Sequence, residues 1–269
     1  MPEGDTIFRT ARTLGRALQD QEVTAVTTTV GQVRQLGAER LVGQRVARVE
    51  PRGKHLLIWF APSDLALHSH MRMTGSWHLY RHGERWRKPR HLARFELQVA
   101  TWVAVCFSAP VIELLSARQV ARHRALAALG PDALDEDADL RQARLRLDER
   151  AEWTIGEALL DQRMLAGVGN VYKNEVLFIH RLDPWRRVAD IDGETRDAVL
   201  ATAVRLMRDN VGEDRLRRVT TSGGGGDLHV YGRHRRPCPR CQRPIAVARQ
   251  GDQGRLTYWC RSCQGPGVA

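Results

Sequence analysis

Two pairs of cysteines near the end of the chain place the strongest constraint on its fold. Cys238 and Cys241 are separated by two residues, as are Cys260 and Cys263, and eighteen residues lie between the inner cysteines. Four thiolates supplied by two tight turns match the tetrahedral coordination of structural zinc. The intervening QRPIAVARQGDQGRLTYW predicts two strands around a glycine-containing turn, and hence a zinc ribbon with one structural Zn²⁺. Two disulfides are the alternative, which fits poorly with a chain that shows no export signal.

The charge of the chain indicates a polyanionic partner. The net charge is +11, and eleven arginines lie between Arg215 and Cys263 against the two acids Asp227 and Asp252. A general preference for arginine would spread the charge evenly, so this concentration favours nucleic acid as the partner. Lysine is rare enough for each one to be examined, and the three are Lys54, Lys88 and Lys173.

The first 130 residues predict one helix followed by antiparallel strands. Apolar residues recur at helical spacing at Ile7, Ala11, Leu14 and Leu18. Short segments rich in β-branched and aromatic residues follow, among them HLLIWFA, LALHSHM, RFELQVA and TWVAVCFSA, and their alternation predicts a sandwich or barrel. Cys106 lies in the last of these segments and is predicted to be a core residue.

A change in composition after residue 130 marks the predicted domain boundary. IELLSARQVARHRALAALG predicts a helix that ends at Gly130, and PDALDEDADL, with five acids in ten residues, is typical of an exposed linker. Beyond it, AEWTIGEALLDQRML, NVYKNEVLFIHR and GETRDAVLATAVRLMRDNV carry helical periodicity. The predicted division is a strand-rich domain at 1–130, a linker at 131–150, a helical domain at 151–227 and the cysteine segment at 228–269.

The segment MLAGVGNVYKNE predicts a phosphate contact. A helix is predicted to reach Leu165, the chain turns at residues 167–169, and Asn170 is a favoured N-cap for the next helix. Glycines allow another molecule to approach closely, and the amide hydrogens of a helix N-terminus attract anions. A plain helix–turn–helix corner is the alternative.

The chain begins Met-Pro-Glu-Gly and enters its first predicted helix at once. Removal of Met1 would leave Pro2 as a secondary amine, and an α-amino group with a pKa of about 8 is partly nucleophilic at neutral pH. Such an amine can attack the C1′ carbon of a damaged nucleoside and form an iminium when the base departs, with Glu3 carrying the proton. Taken alone, these residues favour a simpler interpretation, in which Pro2 starts a helix and Glu3 offsets its dipole.

Several short motifs occur together in a characteristic order. They are the initial PEG, RGKHLLIWF around Lys54, LDQRMLAGVGNVY, VYGR and the terminal four-cysteine finger. Together they resemble the bacterial formamidopyrimidine-DNA glycosylase and endonuclease VIII family from end to end, nearer the endonuclease VIII branch. The resemblance implies an α+β fold of two domains, an N-terminal antiparallel β-sandwich with flanking helices and a C-terminal helix–two-turns–helix domain with a zinc-ribbon hairpin. This chain has Asp5-Thr6 where the family often carries Pro-Glu, which affects the expected contact to the opened sugar.

The resemblance also implies catalytic roles. Pro2 would be the Schiff-base nucleophile and Glu3 the acid/base. Lys54 would bind phosphate beside the lesion and assist β-elimination. Arg255, on the zinc finger, would grip the same strand and assist δ-elimination.

A second set of residues is implied to bind DNA without reacting. Arg72 and Met73, in the HMRMTG loop, would fill the gap left by a flipped nucleotide. Gly169, Asn170 and Tyr172 would contact the strand from the helix–two-turns–helix. Glu175 is expected to orient neighbouring basic groups.

The expected activity is that of a bifunctional glycosylase and abasic-site lyase acting as a monomer on damaged double-stranded DNA. Oxidised pyrimidines are the expected substrates, although the Gly-rich stretch, which predicts a flexible loop or a flap, and HVYGRHRRPC resemble a segment that discriminates oxidised purines. A non-catalytic zinc-ribbon DNA-binding protein is the alternative. No apolar run approaches the roughly 18 residues of a membrane helix, so the expected location is the cytoplasm, at the bacterial nucleoid.

Overall fold

The computed structural model describes residues 2–212, 218–221 and 227–267. The chain divides into two compact units, Met1–Ala128 and Leu129–Ala269. Within the described residues, none of the helices combines the length and apolar character needed to cross a bilayer.

The first unit is built on two four-stranded antiparallel sheets, in the orders β1-β6-β7-β5 and β2-β3-β4-β8. The predicted antiparallel sandwich is therefore confirmed. The strands are β1 (Val23–Thr28), β2 (Arg45–Arg52), β3 (His55–Ala61), β4 (Leu65–His70), β5 (Ser76–Arg81), β6 (Ala93–Val99), β7 (Trp102–Phe107) and β8 (Val111–Ser116). The helices are α1 (Gly4–Leu18), α2 (Gly31–Gln35), α3 (Ala117–Arg122) and α4 (Arg124–Ala127), with 3-10 turns at Ala38–Leu41 and Arg90–Leu92.

Alternation along the strands builds the core of this unit. Leu56, Ile58 and Phe60 of β3 belong to one buried cluster that also contains Ile7 and Leu14 of α1. Helix α1 contacts strands of both sheets, so its apolar stripe, which the helical spacing predicts, fixes the start of the chain against the sandwich. Cys106 is fully buried, as predicted, and burial raises the pKa of its thiol.

The helix predicted over residues 112–130 is wrong at its start. Residues Val111–Ser116 form β8, in which Ile112 and Leu114 face the core with a period of two. Helix α3 begins only after Ser116, whose hydroxyl accepts from the backbone of Gln119 in a capping box. The segment IELLS thus pairs as a strand despite its helical pattern. The capping box sets the boundary between β8 and α3.

The second unit combines helices with a two-stranded antiparallel hairpin. Its elements are α5 (Leu140–Asp148), α6 (Ile155–Ala158), α7 (Asn170–Ile179), a 3-10 turn at Val188–Asp190, α8 (Gly193–Asp209), β9 (Ala246–Gln250), β10 (Arg255–Trp259) and α9 (Arg261–Gln264). Helices α7 and α8 share the main apolar cluster, with Val176, Leu177, Val199, Leu200 and Ala203 buried between them. The predicted long helix before residue 165 is shorter, because α6 ends at Ala158 and the chain then turns.

Residues 131–150, predicted as a linker, contain an ordered helix. The carboxylate of Asp139 caps α5 by accepting from Gln142 N at 2.9 Å. Ala143 and Leu147 on this helix are fully buried in the core of the second unit. The acidic residues that suggested an exposed connection therefore precede a packed helix and cap it.

The packing of α5 predicts two different outcomes for two leucines on one helix. Leu147→Ala, at a fully buried site, is expected to lower the free energy of unfolding by about 2–5 kcal/mol, because it leaves a cavity. Leu145→Ala, at a side chain that is 65% exposed, is expected to change it by at most about 0.5 kcal/mol. Denaturant unfolding of both variants measures the difference, and equal effects would contradict the docking of α5.

Candidate active site

The first helix fixes the two residues at the start of the described chain. Glu3 is fully buried and precedes α1, and its backbone carbonyl accepts hydrogen bonds from Thr6 N (2.9 Å) and Ile7 N (3.1 Å). Pro2, beside it, is partly exposed. The predicted nucleophile is thus accessible on a rigid element, and the predicted proton carrier next to it is shielded from water.

Asp5 and Thr6 occupy the positions at which the chain departs from its resemblance. Asp5 is fully buried, with one carboxylate oxygen 3.5 Å from the guanidinium of Arg9 and the other accepting the Thr6 hydroxyl at 3.3 Å. These contacts lie within the first turns of α1. Asp5 therefore stabilises the helix that carries Pro2 and Glu3.

Lys54 and Arg72 lie at one edge of the same sheet. His55 of β3 pairs with His70 of β4, so the residue before β3 and the residues after β4 are at the same end of the two strands. Lys54 occupies the two-residue turn between β2 and β3 and is partly exposed. The structure thus brings these two predicted strand-binding residues to one edge of the first unit.

The turn after β4 presents Arg72 and Met73 to solvent. Gly75 N donates to Met71 O at 2.8 Å, and the Thr74 hydroxyl donates to the Ser108 carbonyl at 3.0 Å. A side chain at Gly75 would lie 2.7 Å from the backbone of Met71, so the tight turn requires glycine there. Met73 at the tip is 58% exposed. A cation and an apolar side chain on an anchored turn suit the predicted role of filling the gap left by a flipped nucleotide.

The turn at residues 167–169 leads directly into α7. Gly167 has φ +96°, and the side chain of Gln162 holds the turn by donating to Val168 O (2.9 Å) and accepting from Gly167 N (3.0 Å). Gly169 is buried and is the N-cap, so the prediction that Asn170 caps the helix is wrong by one residue. Asn170 is instead the first residue of α7, and its amide is directed outside its own helix.

Helix α7 holds β10 through three polar side chains on one face. Asn170 Nδ2 donates to Leu256 O at 2.7 Å, and Asn174 Oδ1 accepts from Tyr258 N at 2.7 Å. Between them, the fully buried ammonium of Lys173 donates to the Thr257 hydroxyl at 2.6 Å. Sequence reasoning singled out Lys173 for its rarity without giving it a role and missed Asn174, although their spacing of three and four residues from Asn170 could have indicated one face.

Arg255 is the first residue of β10, directly after the turn at residues 251–254. Its guanidinium donates to Gln253 Oε1 at 3.2 Å. The carbonyl of Leu256, the residue after Arg255, accepts the hydrogen bond from Asn170. The structure therefore places Asn170 beside Arg255 in the second unit. The predicted hairpin is confirmed, with Arg255 directly after its turn, and the role of Arg255 stays a prediction.

The position of Tyr172 corrects the prediction of direct DNA contact. Tyr172 is fully buried in the main apolar cluster of the second unit. The guanidinium of Arg218 lies 5.0 Å from the centre of its ring. The side chain therefore packs the helical core beneath a cation, because α7 turns this position inward.

Glu175 was expected to orient basic groups, but it mainly binds backbone amides of residues 229–231. Its carboxylate is fully buried and accepts from the amides of His229, Val230 and Tyr231 at 2.7–2.9 Å and from the Thr220 hydroxyl at 2.5 Å. Burial raises the pKa of Glu175, but the hydrogen bonds outweigh it, so that its pKa lies below the ordinary value. The Gly-rich residues 222–226, predicted as a loop or flap, lie outside the described residues.

The four cysteines of the terminal segment converge on one point. Sγ of Cys238 lies 3.9 Å from that of Cys263, and Sγ of Cys241 lies 3.4 Å from that of Cys260. All four sulfur atoms lie within 4.8 Å of one another. Tetrahedral thiolates bonded at about 2.3 Å to one ion would be about 3.8 Å apart, whereas disulfide sulfurs would be about 2.05 Å apart. The cluster therefore fits a single metal ion and excludes the alternative of two disulfides in this arrangement.

Family models match most of the chain. The formamidopyrimidine-DNA glycosylase N-terminal domain matches residues 1–110, and the formamidopyrimidine-DNA glycosylase H2TH domain matches residues 129–220.

Relatives match the chain along nearly its whole length. The chain is 42% identical over 267 residues to the probable endonuclease 8 2 of Streptomyces coelicolor, covering 98% of this chain and 94% of that protein. It is 36% identical over 268 residues to the DNA-(apurinic or apyrimidinic site) lyase Nei2 of Mycolicibacterium smegmatis, covering 98% and 99%. It is 33% identical over 272 residues to the endonuclease 8 of Escherichia coli, covering 98% and 100%.

Solved structures share the fold. The Lactococcus lactis Fpg (MutM) in complex with N7-benzyl-Fapy-dG DNA superposes with a TM-score of 0.81 at 24% identity, covering 98% of this chain and 99% of that one. A MutM complex with carbocyclic 8-oxo-G DNA gives a TM-score of 0.81 at 25% identity with the same coverage. The fold of the chain is therefore a known one.

Proposed function

Because this chain belongs to the formamidopyrimidine-DNA glycosylase and endonuclease VIII family, we propose that it is a DNA glycosylase and abasic-site lyase of base excision repair. Its substrate is damaged double-stranded DNA. The observation that carries the proposal is the partly exposed Pro2 directly ahead of the buried Glu3 at the start of α1. A non-catalytic DNA-binding protein would have no use for an accessible amine beside a shielded carboxyl group.

The proposed reaction begins with the nitrogen of Pro2, freed by removal of Met1. Its lone pair attacks C1′ of the damaged nucleotide and displaces the base, and the C1′–O4′ bond then breaks as the ring opens to the iminium. Glu3 moves the protons that ring opening requires. Loss of a C2′ proton then breaks the C3′–O bond, and a second elimination releases the 5′ phosphate from the sugar.

The strand is held by residues of both units. Lys54 binds phosphate beside the lesion and supports β-elimination, while Arg255 grips the strand and supports δ-elimination. Asn170, at the start of α7, adds a phosphate contact beside Arg255, since its side chain is hydrogen-bonded to the neighbouring Leu256. Arg72 and Met73 fill the space of the flipped nucleotide from their exposed turn.

The cysteine cluster holds one zinc ion with a structural role. Four thiolates favour zinc and fill its tetrahedral shell, which leaves no position for substrate. When bound, the ion fixes the two turns that frame β9 and β10. Arg255 depends on it, because this residue lies in the same hairpin.

Oxidised pyrimidines are the proposed substrates, from the resemblance to the endonuclease VIII branch. Extrusion of a base is least costly where the lesion already pairs badly. Oxidised purines are the second candidate, favoured by the resemblance of HVYGRHRRPC to a purine-discriminating segment.

A covalent intermediate is the expected outcome of trapping. Protein shown to begin at Pro2, mixed with a duplex carrying one abasic site and borohydride, is expected to form a stable cross-link, because hydride reduces the iminium. Mass mapping of the linked peptide should place it on Pro2. A cross-link on a lysine, or none at all, would contradict the proposed nucleophile.

Glu3→Gln provides the chemical control for the same experiment. It is expected to slow excision of a damaged base by about 10²–10⁴-fold, since the proton carrier is lost. Glu22→Gln, at an exposed site, should leave the rate unchanged.

A panel of duplexes tests the substrate class. Each carries a single oxidised pyrimidine, oxidised purine or abasic site, and single-turnover rates are compared at one salt concentration because phosphate contacts make affinity salt-dependent. Pyrimidine lesions are expected to be excised about tenfold or more faster than purine lesions. The reverse order would assign the enzyme to purines, and cleavage of the abasic duplex alone would make it a lyase only.

Metal analysis tests the zinc assignment. The purified protein is expected to hold one zinc ion per chain, and Cys241→Ala is expected to lose it and to weaken binding to the abasic duplex. Cys106→Ala, which alters the buried thiol of the first unit, should retain the ion. Loss of zinc without a change in DNA affinity would show that the hairpin does not need the metal to position Arg255.

A further inference from the structure

A chain of polar contacts between buried and partly buried side chains links three strands of the first unit. Nδ1 of His55 lies 2.8 Å from Nε2 of His68, and Nδ1 of His68 lies 2.7 Å from a carboxylate oxygen of Glu113. The register pairs His68 of β4 directly with Glu113 of β8. His123 reaches the same carboxylate oxygen at 3.2 Å. We call Glu113, His68 and His55 the histidine relay.

The histidine relay continues to the exposed turn after β4. His70 is the cross-strand partner of His55, and their rings meet edge-on with centroids 4.6 Å apart. Nδ1 of His70 accepts the backbone N–H of Arg72 at 3.1 Å. Arg72 has φ +44°, a left-handed conformation that residues other than glycine disfavour. The hydrogen bond from Arg72 to His70 therefore helps to hold a strained turn.

These hydrogen bonds define the proton positions on the neutral rings. An ionised carboxylate only accepts, so His68 carries its proton on Nδ1 and donates to Glu113. Nε2 of His68 is then an acceptor, and His55 donates to it from Nδ1. His70 accepts at Nδ1, so its own proton lies on Nε2. Hydrogen bonds thus couple the orientation of His55 to that of His68 and Glu113, whereas His70 meets His55 through a ring contact.

Both histidines nearest Lys54 are held neutral. Burial lowers the pKa of His55 to about 2, with further lowering by the neighbouring histidines and Lys54. Burial, followed by the charge of Lys54, lowers the pKa of His70 to about 4. The two rings therefore act beside the Lys54 ammonium as neutral hydrogen-bonding groups and not as competing cations.

A contribution to the overall stability of the fold explains this cluster poorly. Buried polar groups must be desolvated, and apolar side chains of the same size commonly fill such a space with equal or greater stability. A fully satisfied polar network instead specifies one arrangement of its members. The two elements at its end are the Lys54 turn and the Arg72 turn.

We propose that the histidine relay positions Lys54 and Arg72, through His55 and His70, for binding of the damaged strand. This inference rests on the proposed function, because that function gives Lys54 and Arg72 their DNA-binding roles. Its members are positioning residues that act through these two turns.

A pair of substitutions at His68 separates geometry from packing. His68→Leu fills the site but removes both contacts, and we expect it to slow single-turnover cleavage of an abasic duplex by about tenfold to a hundredfold. His68→Gln offers an amide donor to Glu113 and an oxygen acceptor to His55, so it should remain near the wild-type rate. His91→Gln, at an exposed site, is the matched control, and melting curves confirm that each variant is folded.

A double-mutant cycle tests whether the effect passes through Lys54. In a Lys54→Ala background, His68→Leu is expected to cause much less additional slowing than in the wild type, because residues that act together are not additive. Should His68→Leu not fold, Glu113→Leu replaces it, since that side chain is 30% exposed and on the partner strand. The same loss of rate is expected.

The proposal is overturned if folded His68→Leu or Glu113→Leu cleaves at the wild-type rate. A cleavage rate of His68→Gln no higher than that of His68→Leu would also overturn it. So would a double variant whose loss of rate is the full product of the losses caused by His68→Leu and by Lys54→Ala. Borohydride trapping of the wild-type protein distinguishes these failures from failure of the proposed function. A wild type that never cross-links to abasic DNA refutes the function, whereas a wild type that cross-links with unaffected relay variants refutes only the relay.

Discussion

The burial of Glu3 at the first turn of α1 is the constraint on which the proposed chemistry depends. Glu3 is fully enclosed, and its carbonyl accepts hydrogen bonds from the amides of Thr6 and Ile7 in the first turns of the helix. Because Ile7 and Leu14 of that helix belong to the sandwich core, moving Pro2 would require moving α1. Once Met1 is removed, a Pro2 amine fixed in this way would already have lost the orientational freedom that a reaction otherwise has to restrict.

In the second unit, α7 has the corresponding role for the hairpin. Asn170, Lys173 and Asn174 bind three consecutive residues of β10, which are Leu256, Thr257 and Tyr258. Two of these contacts are to backbone atoms, so they fix the path of the strand and not only its side chains. The cysteine cluster lies at one end of the hairpin and α7 holds β10, which leaves Arg255 at a defined position beside the turn.

The sequence predicted the elements whose signals are local. Period-two alternation identified the sandwich, and the cysteine spacing identified the cluster. It failed where the deciding contact is distant or competes with another pattern. IELLS pairs as a strand, and Asp139, one of the acids before α5, caps a helix with one buried face. The side chain of Asn170 was predicted to cap its own helix, whereas its hydrogen-bond partner, Leu256, lies 86 residues away. His68 and Glu113 are 45 residues apart, and only the register of β4 and β8 brings them together.

The placement of the three lysines gives the composition a physical meaning. Lys173 is fully buried against Thr257, and Lys88 is partly buried with its ammonium donating to Ser76 at 2.9 Å. Lys54 instead occupies a hairpin turn at the edge of the sandwich, in a chain that uses arginine almost everywhere else. A lysine is a compact, rotatable point charge, whereas arginine is a planar fork suited to gripping phosphate. A cation that must fit beside a reacting sugar is better served by lysine, and one that holds the backbone is better served by arginine. The presence of Lys54 in so arginine-rich a chain therefore supports the proposed roles, in which Lys54 binds phosphate and assists β-elimination beside the sugar, and Arg255 grips the strand and assists δ-elimination.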